Sequence, residues 1–404
     1  VTFTVLRLGY QGDGIAEGPI FAPRTLPGEV IEGEVTGNRI EAPKIITPST
    51  SRVAAPCRHY KSCGGCSLQH AADGFVADWK QDVVRTALAA QHIEADIRTI
   101  QTSAPRSRRR AVLTGRRTKK DALVGFHARG TDTITEVPDC HLLHPDLLAV
   151  VPALRALTVY GTTRKGEVRF TITQSEAGID VAVTGGKPLD GQMLMTLAAM
   201  AGEQGLARLT WDGEPIVDIA SPFQMFGSAR VVPPAGAFLQ ATKEGENALI
   251  SSVLETVSGA KSVLDLFAGS GTFALPISIN AEVHAVEGDA AMLKALDQGW
   301  RQATGLKRVT TEARDLFRRP LLPDEIKRFD AVVIDPPRAG AVHQVKELAE
   351  AKPHKIATVS CNPVTFAQDA KTLIEAGYEL GPIDVIDQFR WSTHVELAAS
   401  FTLK

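Results

Sequence analysis

No stretch of about 18 or more apolar residues occurs in the 404-residue sequence, so no segment reads as a membrane-spanning helix. The amino terminus, VTFTVLRLGYQGDG, lacks the basic-then-apolar pattern of a secretory signal, and a cytoplasmic location is expected. Charge of one sign is not in excess: 44 Lys and Arg against 46 Asp and Glu leave a net charge of −2. Bulk charge therefore gives no ground for nucleic-acid binding. No internal repeat or low-complexity tract is apparent. Cysteine is scarce, with five in all. In a reducing compartment, clustered cysteines read as metal ligands rather than disulfides, and an isolated one as core filler or a nucleophile.

What is present is unevenly distributed. Cys57, Cys63, Cys66 and Cys140 fall early, and Cys361 stands alone near the far end. On spacing alone, the first four suit a zinc site with four cysteine ligands. Residues 106–120 (RSRRRAVLTGRRTKK) hold eight basic residues and no acid. Such a run is either a solvated strand face or a phosphate-binding strip.

The length suggests two or three domains. Residues 1–55 alternate short β-type runs (FTVLRLG, GPIFAP, GEVIEGEVTG) with Gly and Pro turns, which predicts a small β-barrel. Residues 56–235 hold the cysteine segment, a helix from 73 to about 91, strands such as EVRFTITQ and IDVAVTG, and a helix over 188–202, an α+β region. Residues 236–404 alternate strands with helices, which predicts a mostly parallel, Rossmann-like α/β sheet with ligands beyond the strands' carboxyl ends.

The motifs sit at those ends. Residues 263–267 (VLDLF) read as a buried strand, and AGSGT follows as a tight turn into a helix. Glycines there permit close backbone approach to a ligand. Glu287 ends the next strand, where an acid can accept both hydroxyls of a ribose. Asp265 within the turn would repel a pyrophosphate but suits a ligand with a cationic amino-acid portion, as in S-adenosylmethionine. Asp315, after the third strand, either faces the adenine amino group or caps a helix. Asp335-Pro336-Pro337 ends the fourth strand and supports methyl transfer without naming the target atom. Cys361, in Ser360-Cys361-Asn362-Pro363, ends the fifth strand at a turn, a place for a nucleophile rather than a packed thiol. Thiolate addition to C6 of uracil activates C5, and a base must later remove the C5 proton. Glu396, in Thr393-His394-Val395-Glu396, is the candidate base.

Together these motifs, with CRHYKSCGGCSLQH (residues 57–70), Cys140, Phe238-Leu239-Gln240 and SCNPVTFAQD, resemble the bacterial RNA uracil-C5 methyltransferases. The match is to the iron–sulfur subgroup acting on 23S ribosomal RNA. The resemblance implies a class I methyltransferase domain, a central RNA-binding domain and an OB-like TRAM barrel. It implies Cys361 as nucleophile, Glu396 as proton acceptor, and cofactor contacts from Gln240, Phe267, Thr272, Glu287, Asp315 and Asp335. Gln240 and Asp335 would also touch the uracil, and Phe238 would stack on it. Cys57, Cys63, Cys66 and Cys140 would hold a four-iron, four-sulfur cluster, structural or RNA-facing because it lies far in sequence from the chemistry. The target base must be unpaired or flipped, and Arg108, Arg109 and Arg110 then read as phosphate ligands. A monomer is expected. Thr242 and Thr272 stand where the family often has Asn.

The nearest rival is the same reaction on the T-loop of transfer RNA, which the cysteine cluster opposes. A cytosine-C5 enzyme would leave the HVE motif unexplained, and an N6-adenine enzyme has no need of Cys361. A non-catalytic RNA-binding iron–sulfur protein has no need of Cys361, Glu396 and Asp335 together.

Overall fold

The computed structural model describes residues 1–164 and 166–404. Five short strands open the chain: β1 (Thr2–Leu8), β2 (Asp13–Ala16), β3 (Ile20–Pro23), β4 (Val30–Glu32) and β5 (Lys44–Thr47). They form an antiparallel sheet in the order β3-β2-β1-β4-β5 around Val5, Ala16, Ala22, Ile31 and Ile40. The sequence reading passes over β2 because Asp and Gly are poor strand formers, yet all four of its residues are buried.

Helix α1 (Asp73–Ala89) and strand β6 (Ile97–Thr102) follow. Then comes a seven-stranded sheet built from β7 (Arg110–Arg117), β8 (Ala122–His127), β9 (Ile134–Thr135), β10 (Glu167–Ser175), β11 (Gly178–Thr184), β12 (Arg208–Trp211) and β13 (Glu214–Asp218). Helices α2 (Pro145–Ala149), α3 (Val151–Gly161) and α4 (Gly191–Glu203) belong to this region, where Leu154, Leu157, Leu197 and Trp211 share its core with Phe170. Helix α4 starts at Gly191 rather than 188 because the Asp190 carboxylate caps it, accepting the Met193 N–H at 2.7 Å. A hairpin of β14 (Gln224–Phe226) and β15 (Ala229–Val231) leads into the last region.

There α5 (Lys243–Thr256), β16 (Ser262–Leu266), α6 (Ala274–Ile277), β17 (Glu282–Glu287), α7 (Ala290–Gln302), β18 (Val309–Ala313), α8 (Pro323–Ile326), β19 (Ala331–Ile334), α9 (Val342–Ala351), β20 (Lys355–Ser360), α10 (Pro363–Glu375), β21 (Tyr378–Asp387) and β22 (Glu396–Leu403) alternate as expected. The sheet order is β18-β17-β16-β19-β20-β22-β21-β6. Strands β16 to β20 are parallel, and β22 runs antiparallel between β20 and β21. The run AVVI of β19 is buried throughout, as a strand covered on both faces requires.

Two elements from the expected central segment belong here instead. Strand β6 pairs in parallel with β21 and closes what would be an exposed edge. Val84 and Leu88 of α1 enter the same core as Leu264 and Val385, and the fully buried Lys80 of α1 pairs with Asp387 at the end of β21. Among the described residues no helix is long and apolar enough to cross a membrane.

Candidate active site

The turn after β16 is built for close approach. Phe267 takes φ +62, unusual for a bulky residue, and Gly269 and Gly271 take +54 and +97. Asp265 is fully buried, and neither carboxylate oxygen has a hydrogen-bond partner. Burial, aided by the charge of Glu287, pushes its pKa up to about 8. The Ser270 hydroxyl is likewise buried and unpaired. A buried carboxylate without a partner is costly, and a cationic group is what would satisfy it. The Glu287 carboxylate accepts the N–H groups of Gly269 at 3.1 Å and Asp289 at 3.0 Å, which fixes it against the turn. Thr272 is half-buried at the same turn. Asp315 is exposed beyond β18 and accepts the N–H groups of Phe317 and Arg318, so one of its oxygens does cap a turn. The rings of Phe317 and Phe267 lie 5.6 Å apart.

Asp335 follows β19, Cys361 follows β20 and Glu396 opens β22. The antiparallel course of β22 pairs Leu397 with Ser360, and so delivers Glu396 to the carboxyl end of β20, beside Cys361. The two motif turns are tied together by the Asn362 side-chain amide, which donates to the Arg338 carbonyl at 2.9 Å. Cys361 is half-buried. Burial first, then the charges of Glu396 and Asp335, push its pKa up to about 11, while Arg338 pulls it down. Burial raises Glu396 to about 7, and burial, Glu396 and Asp265 hold Asp335 well above the usual carboxylate range.

The loop before α5 presents Phe238, which is 61 % exposed, and Gln240, which is buried. Here the arginines expected on RNA have another task. Arg109 is buried and ion-paired with Glu246, and its Nε donates to the Gln240 carbonyl at 3.1 Å. Arg110 donates to the carbonyls of Gly236 and Ala237, both at 3.1 Å. Arg108 donates to the Arg110 carbonyl and lies over the Phe389 ring. The expectation of Arg109 as a phosphate ligand is therefore corrected, since its donors go to Gln240, Gln224 and Glu246, while Arg110 spends Nε and Nη2 on the loop that carries Phe238 and Gln240.

Cys57, Cys63, Cys66 and Cys140 line one pocket with Tyr60 and Gln69. Backbone N–H groups of Gly65 and Leu142 point at the sulfurs of Cys63 and Cys140, at 3.3 and 3.4 Å. A side chain at Gly64 would strike the His127 carbonyl at 2.6 Å, so the CGGC run needs glycine to lie against β8. Sequence distance from the chemistry is not spatial distance: the N–H groups of Ser67 and Leu68 both reach the Trp391 carbonyl, in the loop between β21 and Glu396.

That loop also holds the residue the sequence reading missed. Gln388 is buried, its Nε2 donates to Gln240 Oε1 at 2.6 Å and to Glu396 Oε2, and its Oε1 accepts the Ala241 N–H at 2.7 Å. Nothing local in IDQFRW marks it. Its position after a strand and before the HVE motif is the only signal.

Residues 233–402 match the profile of the tRNA (uracil-5-)-methyltransferase family. An RNA methyltransferase of uncharacterised function from Rhizobium meliloti is 43% identical over 99% of this chain and 98% of its own length. The 23S rRNA (uracil(1939)-C(5))-methyltransferase RlmD of Shewanella amazonensis is 30% identical over 100% of this chain and 96% of its own. In structure, the Pyrococcus abyssi tRNA (uracil-54, C5)-methyltransferase, solved with S-adenosyl-L-homocysteine, superposes with a TM-score of 0.76 at 21% identity, over 99% of both chains. The chain belongs to this family, the S-adenosylmethionine-dependent RNA uracil-C5 methyltransferases.

Proposed function

We propose that the protein methylates C5 of a uridine in 23S ribosomal RNA, with Cys361 as nucleophile and Glu396 as base. The observation that carries this reading is the meeting of Cys361, Asp335 and Glu396 at neighbouring strand ends, close enough for the two carboxylates to shift the thiol. An adenine N6 enzyme would leave that thiol unexplained. The resemblance of the full chain to a 23S enzyme favours ribosomal over transfer RNA, and such a substrate implies work in the cytoplasm.

Uracil C5 is a weak nucleophile. Addition of the Cys361 sulfur to C6 makes an enolate, whose electron pair at C5 forms the bond to the incoming methyl carbon. S-adenosylmethionine supplies that methyl group as an electrophile when bound. Glu396 then takes the C5 proton, the pair from the C5–H bond rebuilds the C5–C6 double bond, and the C6–S bond breaks with its pair returning to sulfur. The unpaired Asp265 carboxylate and Glu287, beside the Phe267 and Thr272 turn, are the groups that fit the cofactor's cationic end and ribose. Gln240 and Asp335 are assigned to both cofactor and base, and the exposed Phe238 to stacking on an extruded base. Asp315, whose second oxygen meets only the exposed Arg318 at 3.5 Å, is assigned to the adenine edge. Lys119 and Lys120, exposed at the β7–β8 hairpin, carry free charge of the basic segment, as does the exposed Arg106.

The four early cysteines are assigned a four-iron, four-sulfur cluster. Their shared pocket and the N–H···S contacts support this. Among the described residues, no three His, Cys, Asp or Glu are gathered as a metal site, so the assignment rests on the resemblance and on the shared pocket.

The test is incubation of anaerobically purified protein with tritiated S-adenosylmethionine and unmodified 23S rRNA or bulk tRNA, followed by nucleoside analysis. Formation of 5-methyluridine in rRNA, lost with Cys361→Ala, is expected. Label in tRNA alone overturns the substrate assignment, and no 5-methyluridine in either RNA overturns the reaction.

A further inference from the structure

We infer that Gln388 is the positioning residue for Glu396, holding the base at a fixed place and angle beside Cys361. The inference deepens the reading above and rests on it.

The geometry leaves Gln388 one orientation. The Ala241 N–H can only donate, so the oxygen of the Gln388 amide must face it. The nitrogen then points the other way, and its two hydrogens have two acceptors waiting, Gln240 Oε1 and Glu396 Oε2. Both hydrogens of the amide are taken, and its oxygen accepts a second, longer bond from the Thr242 N–H at 3.4 Å, all inside a buried site. An amide so anchored on one side is a rigid arm on the other, and it fixes one oxygen of Glu396 while leaving the second for the substrate. Facing its own oxygen toward Gln388 also turns the Nε2 donors of Gln240 away, toward another acceptor.

The backbone around Gln388 is held from three sides. Lys80 of α1 binds the Asp387 carboxylate and the Phe389 carbonyl. Arg390 pairs with Asp73 and donates to the Ser103 carbonyl at 3.2 Å. Ser67 and Leu68 hold the Trp391 carbonyl. Residues 387–391 therefore cannot drift without breaking the buried Lys80–Asp387 pair, which is costly to leave unmade. No other side chain donates a hydrogen bond to Glu396 among the described residues.

Proton removal demands that a carboxylate oxygen meet the C5–H bond in line, and a misplacement of about 1 Å can cost on the order of a hundredfold. Without Gln388, Glu396 keeps its burial but loses its only fixed direction. The step that suffers is removal of the C5 proton, after methyl transfer. The titratable groups facing Glu396 are Asp335 and Cys361, just beyond β19 and β20, and Arg338 stands near Cys361. Since the Gln388 bond favours the ionised Glu396, its loss moves the acid limb of the rate to higher pH.

The experiment uses the full-length, cluster-loaded protein and RNA carrying tritium at uridine C5, comparing wild type with Gln388→Met and Gln388→Asn under single turnover. Methyl incorporation, tritium release and the fraction of protein covalently attached to RNA are read separately, over pH 5.5 to 9, with melting temperature as a folding check. For Gln388→Met we expect tritium release to slow tenfold or more, an adduct stable to denaturation to accumulate, the KM for RNA to stay within twofold, and the acid limb to move up. If that variant melts early, Gln388→Asn, which keeps the amide but shortens its reach, carries the same expectation at smaller size. Tritium release within twofold of wild type at every pH, in a folded variant, overturns the inference and leaves the reaction standing. A wild type that forms no 5-methyluridine overturns the reaction itself, and the inference with it.

Discussion

The backbone N–H of Ser67, the residue after Cys66, donates to the carbonyl of Trp391 at 2.8 Å, and that of Leu68 joins it at 3.0 Å. Trp391 is buried with φ +58, and its ring shares a hydrophobic core with Cys63, Cys66 and Cys140. The cysteine segment therefore braces the loop whose ends are Gln388 and Glu396. Trp391→Ala opens a cavity in that brace, and a loss of about 3–5 kcal/mol is expected. Thermal melting, iron bound per chain and turnover should fall together. Undiminished turnover in a destabilised variant would mean the loop is held without the cysteine segment.

Asp265 gives a pH-dependent expectation. Its carboxyl, raised to about 8 by burial, favours the folded state below its ordinary range near 3.8, and this contribution is lost as pH rises through 8. The ligand-free protein should thus lose stability toward alkaline pH. Asp265→Asn should melt higher than wild type at pH 9 and almost the same at about pH 4, below which the contribution is fully present. It should also bind S-adenosylmethionine ten- to a hundredfold more weakly, about 1.4–3 kcal/mol, as titration calorimetry would show. Unchanged affinity would remove Asp265 from the cofactor site.

Glu396, at about 7, must be ionised to accept a proton. Proton release at pH 5.5 should be about 30-fold below its plateau, the ionised fraction at 1.5 units under the pKa. Glu396→Gln should form the methylated adduct and fail to release it, visible as a slow-migrating RNA–protein band. A variant that releases product at the wild-type rate would exclude Glu396 as the base.

Arg109 and Lys119 should behave oppositely despite lying ten residues apart. Arg109→Ala leaves the buried Glu246 with Lys243 as its remaining cation and should cost about 1.5–3 kcal/mol, with no change in the salt dependence of RNA binding. Lys119→Ala with Lys120→Ala should leave melting unchanged and lower the slope of log affinity against log salt by roughly 1–2. Equal salt slopes for wild type and the double variant would remove this hairpin from the RNA surface.

Much was legible in residue order. The alternation of apolar strands and helices after residue 236 dictates a parallel sheet, because strands covered on both faces must be continuously apolar, as AVVI is. The glycine turn, Glu287, Asp335 and Cys361 each stand at a strand end, so their gathering followed from the fold class alone. Hydrophobic periodicity alone starts α4 three residues early, at 188, because it takes no account of the Asp190 cap.

Other assignments depended on who meets whom across the chain. The basic run at residues 106–120 carries its charge in the sequence, but only packing shows that Arg109 and Arg110 spend theirs on Glu246 and on carbonyls of the Phe238 loop. Strand β6 reads as part of the central segment, yet it closes an edge 285 residues away, where Thr102 pairs with Asp387. Gln388 is the clearest case. Its function rests on three partners, Gln240, Ala241 and Glu396, of which two lie almost 150 residues distant, and a buried amide has no sequence signature because its hydrogen bonds are set by direction rather than by neighbours. The sequence by itself determined the chemistry, through residue types at strand ends; tertiary structure alone decided how the base is held, since orientation belongs to contacts and not to composition.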